Sequence, residues 1–190
     1  AEKEEVIIGA ILTQRTNWRN VERAIANLKS NRIATLKKIA DAAQNQSETF
    51  AELIRPSGFY RTKMRYLAGV CKFFLIRGGV EKITTEPTTA LRTDLLELPG
   101  VGQETADSIL LYALEKPIFV IDEYTRRLAI KEQFACDLSY QGLQTFFKNA
   151  LPRQTALYQD LHALIVIEGK NALVPTKYSH KFTPNTRGVD

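Results

Sequence analysis

The sequence predicts an all-α protein. Apolar residues recur at three- and four-residue spacing along most of the chain. No alternating run of strand length competes with that pattern. Helix breakers fall at the ends of the periodic segments, as Gly78-Gly79, Pro87 and the run Leu98-Pro99-Gly100-Val101-Gly102.

The first apolar stripe is Val6, Ile7, Ala10 and Ile11, and the second is Val21, Ala24, Ile25 and Leu28. A third and longer one joins Tyr60, Met64, Leu67, Cys71 and Phe74. Its other side carries Arg61, Lys63, Arg65, Lys72 and Arg77, which reads mainly as a solvated basic face. A helix over Thr88 to Glu97 follows Pro87, and the LPGVG break ends it. Helix resumes at Gln103, with Ala106, Ile109, Leu110 and Ala113 on one face. The short apolar run Pro117 to Ile121 ends in Asp122. Leu157, Leu161, Leu164 and Ile165 predict a last buried helix, and the stretch from Asn171 to Asp190 reads as irregular.

Composition narrows the class. A chain of 190 residues builds one compact domain or two small lobes. Net charge is +5, which suits a polyanion such as DNA but equally fits a mildly basic protein without such a partner. Cys71 and Cys136 lack metal-site spacing and read as reduced core thiols. His162 and His180 stand alone and read as structural. No apolar run reaches membrane-spanning length, and the charged first residues are unlike a signal peptide. A cytoplasmic protein, nucleoid-associated if it binds DNA, is the expectation.

The LPGVG turn holds two glycines between helices. Glycine permits positive φ and close approach by another backbone. The amides opening the next helix lack intrahelical partners and attract an anion, a DNA phosphate being the natural one. On two glycines alone an ordinary tight turn explains the pattern as well. Twenty residues past Gly102 stands Asp122, before EYTRRLAI. It could cap that helix or serve as a catalytic carboxylate beside bound DNA.

Taken together, LPGVGQETADSILLYALEKPIFVID resembles the helix-hairpin-helix-plus-aspartate signature of the endonuclease III superfamily of DNA glycosylases. GAILTQRTNW and RPSGFYRTKMRYL resemble two further marked loops of that family, in the same order. The likeness runs from about Val6 to Lys170. It implies a two-lobed fold with an active cleft between lobes, here residues 1–116 with the hairpin and 117–190 beginning near the catalytic aspartate. Relatives carry a further N-terminal helix that completes the second lobe, so the beginning reads as cut short. Residue by residue, the resemblance assigns Gly100, Val101 and Gly102 to the phosphate-gripping hairpin and Asp122 to catalysis. Gln14 would fill the gap left by a flipped nucleotide, and Phe59 would wedge into the base stack. The partner is double-stranded DNA with damaged bases, bound by a monomer.

Two departures set the subclass. Bifunctional relatives carry a lysine two residues after the second hairpin glycine, which attacks the sugar as a Schiff-base nucleophile. Here that residue is Glu104, so a monofunctional enzyme is expected. Many relatives also end with four cysteines that hold an iron–sulfur cluster. No cysteine follows Gly169, so no cofactor and no metal are expected. The bacterial 3-methyladenine glycosylase branch shares both departures, and by resemblance Trp18 belongs to its base pocket. The alternatives are an enzyme for oxidised pyrimidines or mismatched bases, with or without lyase activity, and a non-catalytic DNA-binding module.

Overall fold

The computed structural model describes residues 2–172. His180 and the rest of the predicted irregular tail lie outside them. Helices account for all the regular structure of the described residues. The first half of the chain forms α1 (Lys3–Leu12), α2 (Trp18–Ser30), α3 (Leu36–Asn45), α4 (Ser47–Leu53), α5 (Tyr60–Ile76), α6 (Val80–Ile83) and α7 (Thr88–Leu96). The second half forms α8 (Gln103–Ser108), α9 (Glu123–Glu132), α10 (Tyr140–Ala150) and α11 (Thr155–Ala172). A 3-10 turn, Arg55–Ser57, precedes α5, and a π-helical turn, Ile109–Ala113, continues α8.

Local chemistry sets the boundaries. Asn17, Thr35, Asp122 and Ser139 cap α2, α3, α9 and α10 by accepting a backbone N–H in the first turn. Pro87 precedes α7 where its missing N–H does no harm. Gly78 and Gly79 take positive φ just past α5 and end it.

The predicted stripes of α1, α2 and α5 meet in one apolar cluster. Ile7, Ile11, Val21, Leu28, Leu67, Cys71 and Phe74 are fully buried there, joined by Leu91 and Leu95 of α7 and Ile109 and Leu110 of the π turn. A second cluster gathers Leu111, Phe119, Ile121, Ala129, Leu143, Phe147, Tyr158 and Ile165. Phe119 and Phe147 stack at its centre with ring centroids 4.0 Å apart. The π turn contributes to both clusters, and Ile118 packs against both. No helix among the described residues is long and apolar enough to cross a membrane.

Four expectations change. Lys63 does not lie on a solvated face: it is buried, because α5 turns that position toward the end of α1. Cys136 is exposed in the link between α9 and α10, so only Cys71 is a core thiol. The buried face of α11 is Tyr158, His162 and Ile165, while Leu164 stands 62% exposed. That helix also runs to Ala172, past the predicted start of the irregular tail.

Candidate active site

A cleft of about 990 Å³ opens where α1, α2, α5, α8 and the π turn converge, with Arg126 of α9 and Tyr140 of α10 also on its wall. The hairpin forms one lip. Gly100 takes φ +79°, and a Cβ there would run into the ring of Tyr66. Glycine is therefore required at 100 by conformation and by packing. Gly102 differs: its backbone is extended, and a Cβ would meet open space. Val101 departs from its expected role, because its side chain is 5% exposed in the first cluster and its N–H donates to the Leu98 carbonyl. It anchors the hairpin and offers neither side chain nor amide to a ligand. Among the described residues, the amides of Gly100, Gly102 and Gln103 donate to no backbone carbonyl.

Gln14 sits in the loop between α1 and α2. Its Nε2 donates to the Gly100 carbonyl at 2.8 Å and to Thr105 Oγ1 at 3.1 Å. The loop is thereby tied to the hairpin. Phe59 stands 65% exposed at the start of α5 with φ +47°, which excludes a core role. A non-glycine residue held in that conformation is strained, and such strain concentrates at functional positions. Beneath these loops Lys63 Nζ donates to the carbonyls of Leu12 (2.8 Å) and Ser57 (2.7 Å), the first in α1 and the second in the turn before Phe59. Burial without a carboxylate partner lowers its pKa to about 8.

Trp18 opens α2 and is 48% exposed, so it is not a core tryptophan. Its indole lies over Gly9 of α1, where a Cβ would stand 3.7 Å from the ring. A longer side chain at position 9 would displace the indole. Trp18, Phe59, Lys63, Tyr66 and Glu104 all line the same cleft.

Asp122 is 8% exposed, directly after the buried residues Phe119, Val120 and Ile121 of the second cluster, and is not itself among the residues that line the cleft. Its Oδ1 accepts from Thr125 N at 2.7 Å and from Thr125 Oγ1 at 2.8 Å, so it does cap α9. Its Oδ2 remains for other work and faces His162 Nε2 at 3.5 Å. Burial pushes the Asp122 pKa up, but His162 and the two Thr125 donors outweigh it, and the net shift is downward. Glu104, in the first turn of α8, is shifted upward by partial desolvation in the cleft and then by the Asp122 charge.

A buried network positions the segment that carries Asp122. Asp107 of α8 is fully buried and accepts Arg92 Nε at 2.7 Å and Nη2 at 3.0 Å. Its Oδ2 also accepts Tyr140 OH at 2.7 Å and Gln144 Nε2 at 2.8 Å. Gln144 Nε2 donates to the Phe119 carbonyl as well, three residues before Asp122. The hairpin helix and the Asp122 segment are thus held to one carboxylate.

Sequence reasoning missed Lys63, Asp107 and His162. The pattern RTKMRY places Lys63 among cations of similar spacing, so nothing local marks it as buried. A histidine amid the apolar positions of α11 was the one available signal for His162. Iron–sulfur chemistry does not fit the donors: four thiolates are needed, whereas the sequence has two cysteines, one of them buried in the first cluster.

An all-helical fold with a glycine hairpin on the lip of a cleft, and a buried carboxylate capping a later helix, is the arrangement of a DNA glycosylase of base-excision repair. The family profile described as "HhH-GPD superfamily base excision DNA repair protein" matches residues 8–153, and the chain belongs to that family. A DNA repair glycosylase, so named, of Methanocaldococcus jannaschii is 44% identical over 170 residues, covering 85% of this chain and 74% of that protein. Endonuclease III of Thermotoga maritima is 26% identical over 170 residues, covering 90% of this chain and 74% of its own length. Among solved structures, the H. pylori 3-methyladenine DNA glycosylase (MagIII) bound to 1,N6-ethenoadenine superposes with a TM-score of 0.77 at 32% identity, covering 89% of this chain and 85% of that one. An endonuclease III–DNA complex shares the fold with a TM-score of 0.71 at 20% identity, covering 97% of this chain and 78% of that one.

Proposed function

We propose that this glycosylase is monofunctional and hydrolyses the N-glycosidic bond of alkylated purines such as 3-methyladenine. The observation that carries the proposal is Glu104, which lines the cleft beside the half-exposed indole of Trp18 and feels the charge of the buried Asp122. A cationic base is attracted by that negative field. Stacking on an aromatic ring contributes ~1–3 kcal/mol, and a cation over tryptophan adds ~0.5–2 kcal/mol. The similarity to a 3-methyladenine glycosylase at 32% identity supports the same substrate class.

In this reading the lobes divide between residues 116 and 117, and duplex DNA lies along the hairpin lip, bound by a monomer. Phosphate oxygens meet the unengaged amides around Gly102, whose open surface suits close approach. Phe59 wedges into the stack and Gln14 fills the vacated space. The flipped base stacks on Trp18. As the glycosidic bond breaks, its electron pair leaves with the base, so a cationic base departs neutral and needs no acid. The sugar gains oxocarbenium character, which Asp122 Oδ2 stabilises. Water adds to the sugar carbon and gives up its proton through that carboxylate. Glu104 cannot form an imine, so the product is an intact abasic site.

A second reading has one specific support. Lys63 is an amine with a lowered pKa that lines the cleft and could donate to a base carbonyl or attack the sugar. That arrangement suits oxidised pyrimidines or mismatched bases with lyase chemistry. Duplexes carrying an alkylated purine, uracil or thymine glycol separate the two readings. Abasic-site formation on the alkylated purine, without a covalent adduct under borohydride, is the expected result. An adduct, or excision confined to the pyrimidine lesions, overturns the proposal.

A further inference from the structure

We propose that His162 is a positioning residue for Asp122, turned by Tyr112 and aimed by its free Nε2 at the Asp122 carboxylate. The inference rests on the assignment of Asp122 as the catalytic carboxylate.

His162 is 8% exposed, in the middle of α11. Its Nδ1 lies 2.7 Å from Tyr112 OH. With the phenol as donor to Nδ1, the imidazole proton sits on Nε2. Among the described residues Nε2 has no hydrogen-bond partner, although it is buried. A buried donor left unmatched is uncommon and calls for a reason. Asp122 Oδ2, the carboxylate oxygen not used by the helix cap, lies 3.5 Å away. Catalytic hydrogen bonds are often long before substrate binds and shorten afterwards. Here a small approach of α11 to α9 converts the contact into a hydrogen bond.

The backbone is arranged for this contact. Tyr112 belongs to the π-helical turn, a rare geometry that frequently marks functional positions. That turn is docked on α11 from both sides: Gln159 Nε2 donates to the Leu111 carbonyl at 2.8 Å, and Tyr112 OH approaches the Gln159 carbonyl at 3.3 Å. The Phe119 ring meets the imidazole edge-on, at 6.3 Å between centroids, and limits its swing. Tyr112 itself lines the cleft, so substrate binding reaches His162 through it.

The function of this arm is to hold Asp122 ionised and turned toward the sugar. Near the pair, Glu104 of α8 feels the charges of Asp122, His162, Arg126 and Glu123, and Tyr112 feels those of Asp122 and Asp160. Burial disfavours ionisation of Asp122, and His162 and Thr125 outweigh it, consistent with the downward shift of its pKa.

The test is single-turnover excision against pH, with DNA affinity and melting temperature measured on the same variants. His162→Gln keeps the size and removes the imidazole. Its acid limb should move up by about one pH unit, with about a tenfold lower rate only once pH falls below the parental limb, while affinity for an abasic-analogue duplex is unchanged. Tyr112→Phe should give a smaller shift in the same direction. Imidazole added to His162→Gly should restore part of the rate. A folded His162→Gln with the parental rate and pH profile overturns the proposal, as does a loss of affinity equal to the loss of rate. Asp122→Asn is run alongside. If it retains turnover, the carboxylate assignment fails; if it is inactive while His162→Gln is unaffected, only the role of His162 fails.

Discussion

Gln14 Nε2 donates to the carbonyl of Gly100 across 2.8 Å, so the loop after α1 and the hairpin move as one surface. The same nitrogen reaches Thr105 in α8. Gln14→Ala removes both bonds at a partly exposed site, which lowers stability by about 1 kcal/mol. Excision should fall much further, about a hundredfold, because the loop loses its register on the hairpin. Single-turnover rates beside chemical denaturation separate the two effects.

The hairpin glycines should behave differently. Gly100→Ala forces a Cβ into Tyr66 at a positive φ, and destabilisation by about 2–4 kcal/mol is expected. Gly102→Ala meets no protein atom and should melt like the parent. Its deficit appears only in DNA affinity, about tenfold, if a phosphate backbone approaches that point. Melting curves and fluorescence anisotropy on a labelled duplex check both.

Asp122→Asn preserves the cap, since asparagine is as good an N-cap as aspartate. The variant should fold and bind DNA but lose excision by a factor of at least about a thousand. The pH sign follows from the depressed folded pKa. The ionised carboxylate adds stability above the unfolded value near 3.8, and this is lost as pH falls through the lower folded value. Urea melts of parent and variant should therefore converge in acid below that value.

Lys63 has the opposite linkage. Its folded pKa of about 8 lies under the ordinary 10.5, so the unfolded chain binds more protons between those values. Stability should rise with pH across that window and level off above it. Lys63→Met should lack the rise. Denaturation midpoints from pH 7 to 10.5, parent against variant, test the sign directly.

Asp107→Ala leaves Arg92 largely buried without its carboxylate, and frees Tyr140 and Gln144. Breaking a buried pair from one side costs about 3–5 kcal/mol. Asp107→Asn should cost less, because one acceptor remains for Arg92 or Tyr140. Equilibrium unfolding of the two variants should rank them in that order.

Much of the molecule was legible because helical periodicity is local. Val21, Ala24, Ile25 and Leu28 declare one buried face of α2, and all four are buried. The family resemblance of the segments around Gln14, Phe59 and the hairpin implies a cleft, and Gln14, Phe59, Gly100 and Gly102 line one. Local patterns failed where burial depends on distant neighbours. Lys63 looks like one more surface cation until the end of α1 and the turn before Phe59 close over it. Val101 looks like part of a DNA grip until its side chain enters the core. Leu164 has the spacing of a core residue, but α11 rolls so that Tyr158, His162 and Ile165 face inward.

By itself the sequence determined the all-α class, the positions of the breaks and the glycine turn with Glu104 two residues beyond it. These rest on residue type and short spacing, which the unfolded chain already carries. Only the tertiary structure decided which groups meet Asp122. Tyr112 and His162 are separated by 50 positions and touch at 2.7 Å. That contact exists because a π turn rotates one side chain toward α11 and the second apolar cluster packs the other against it. Neither event is written in a window of four residues; both follow from how whole helices bury their faces together.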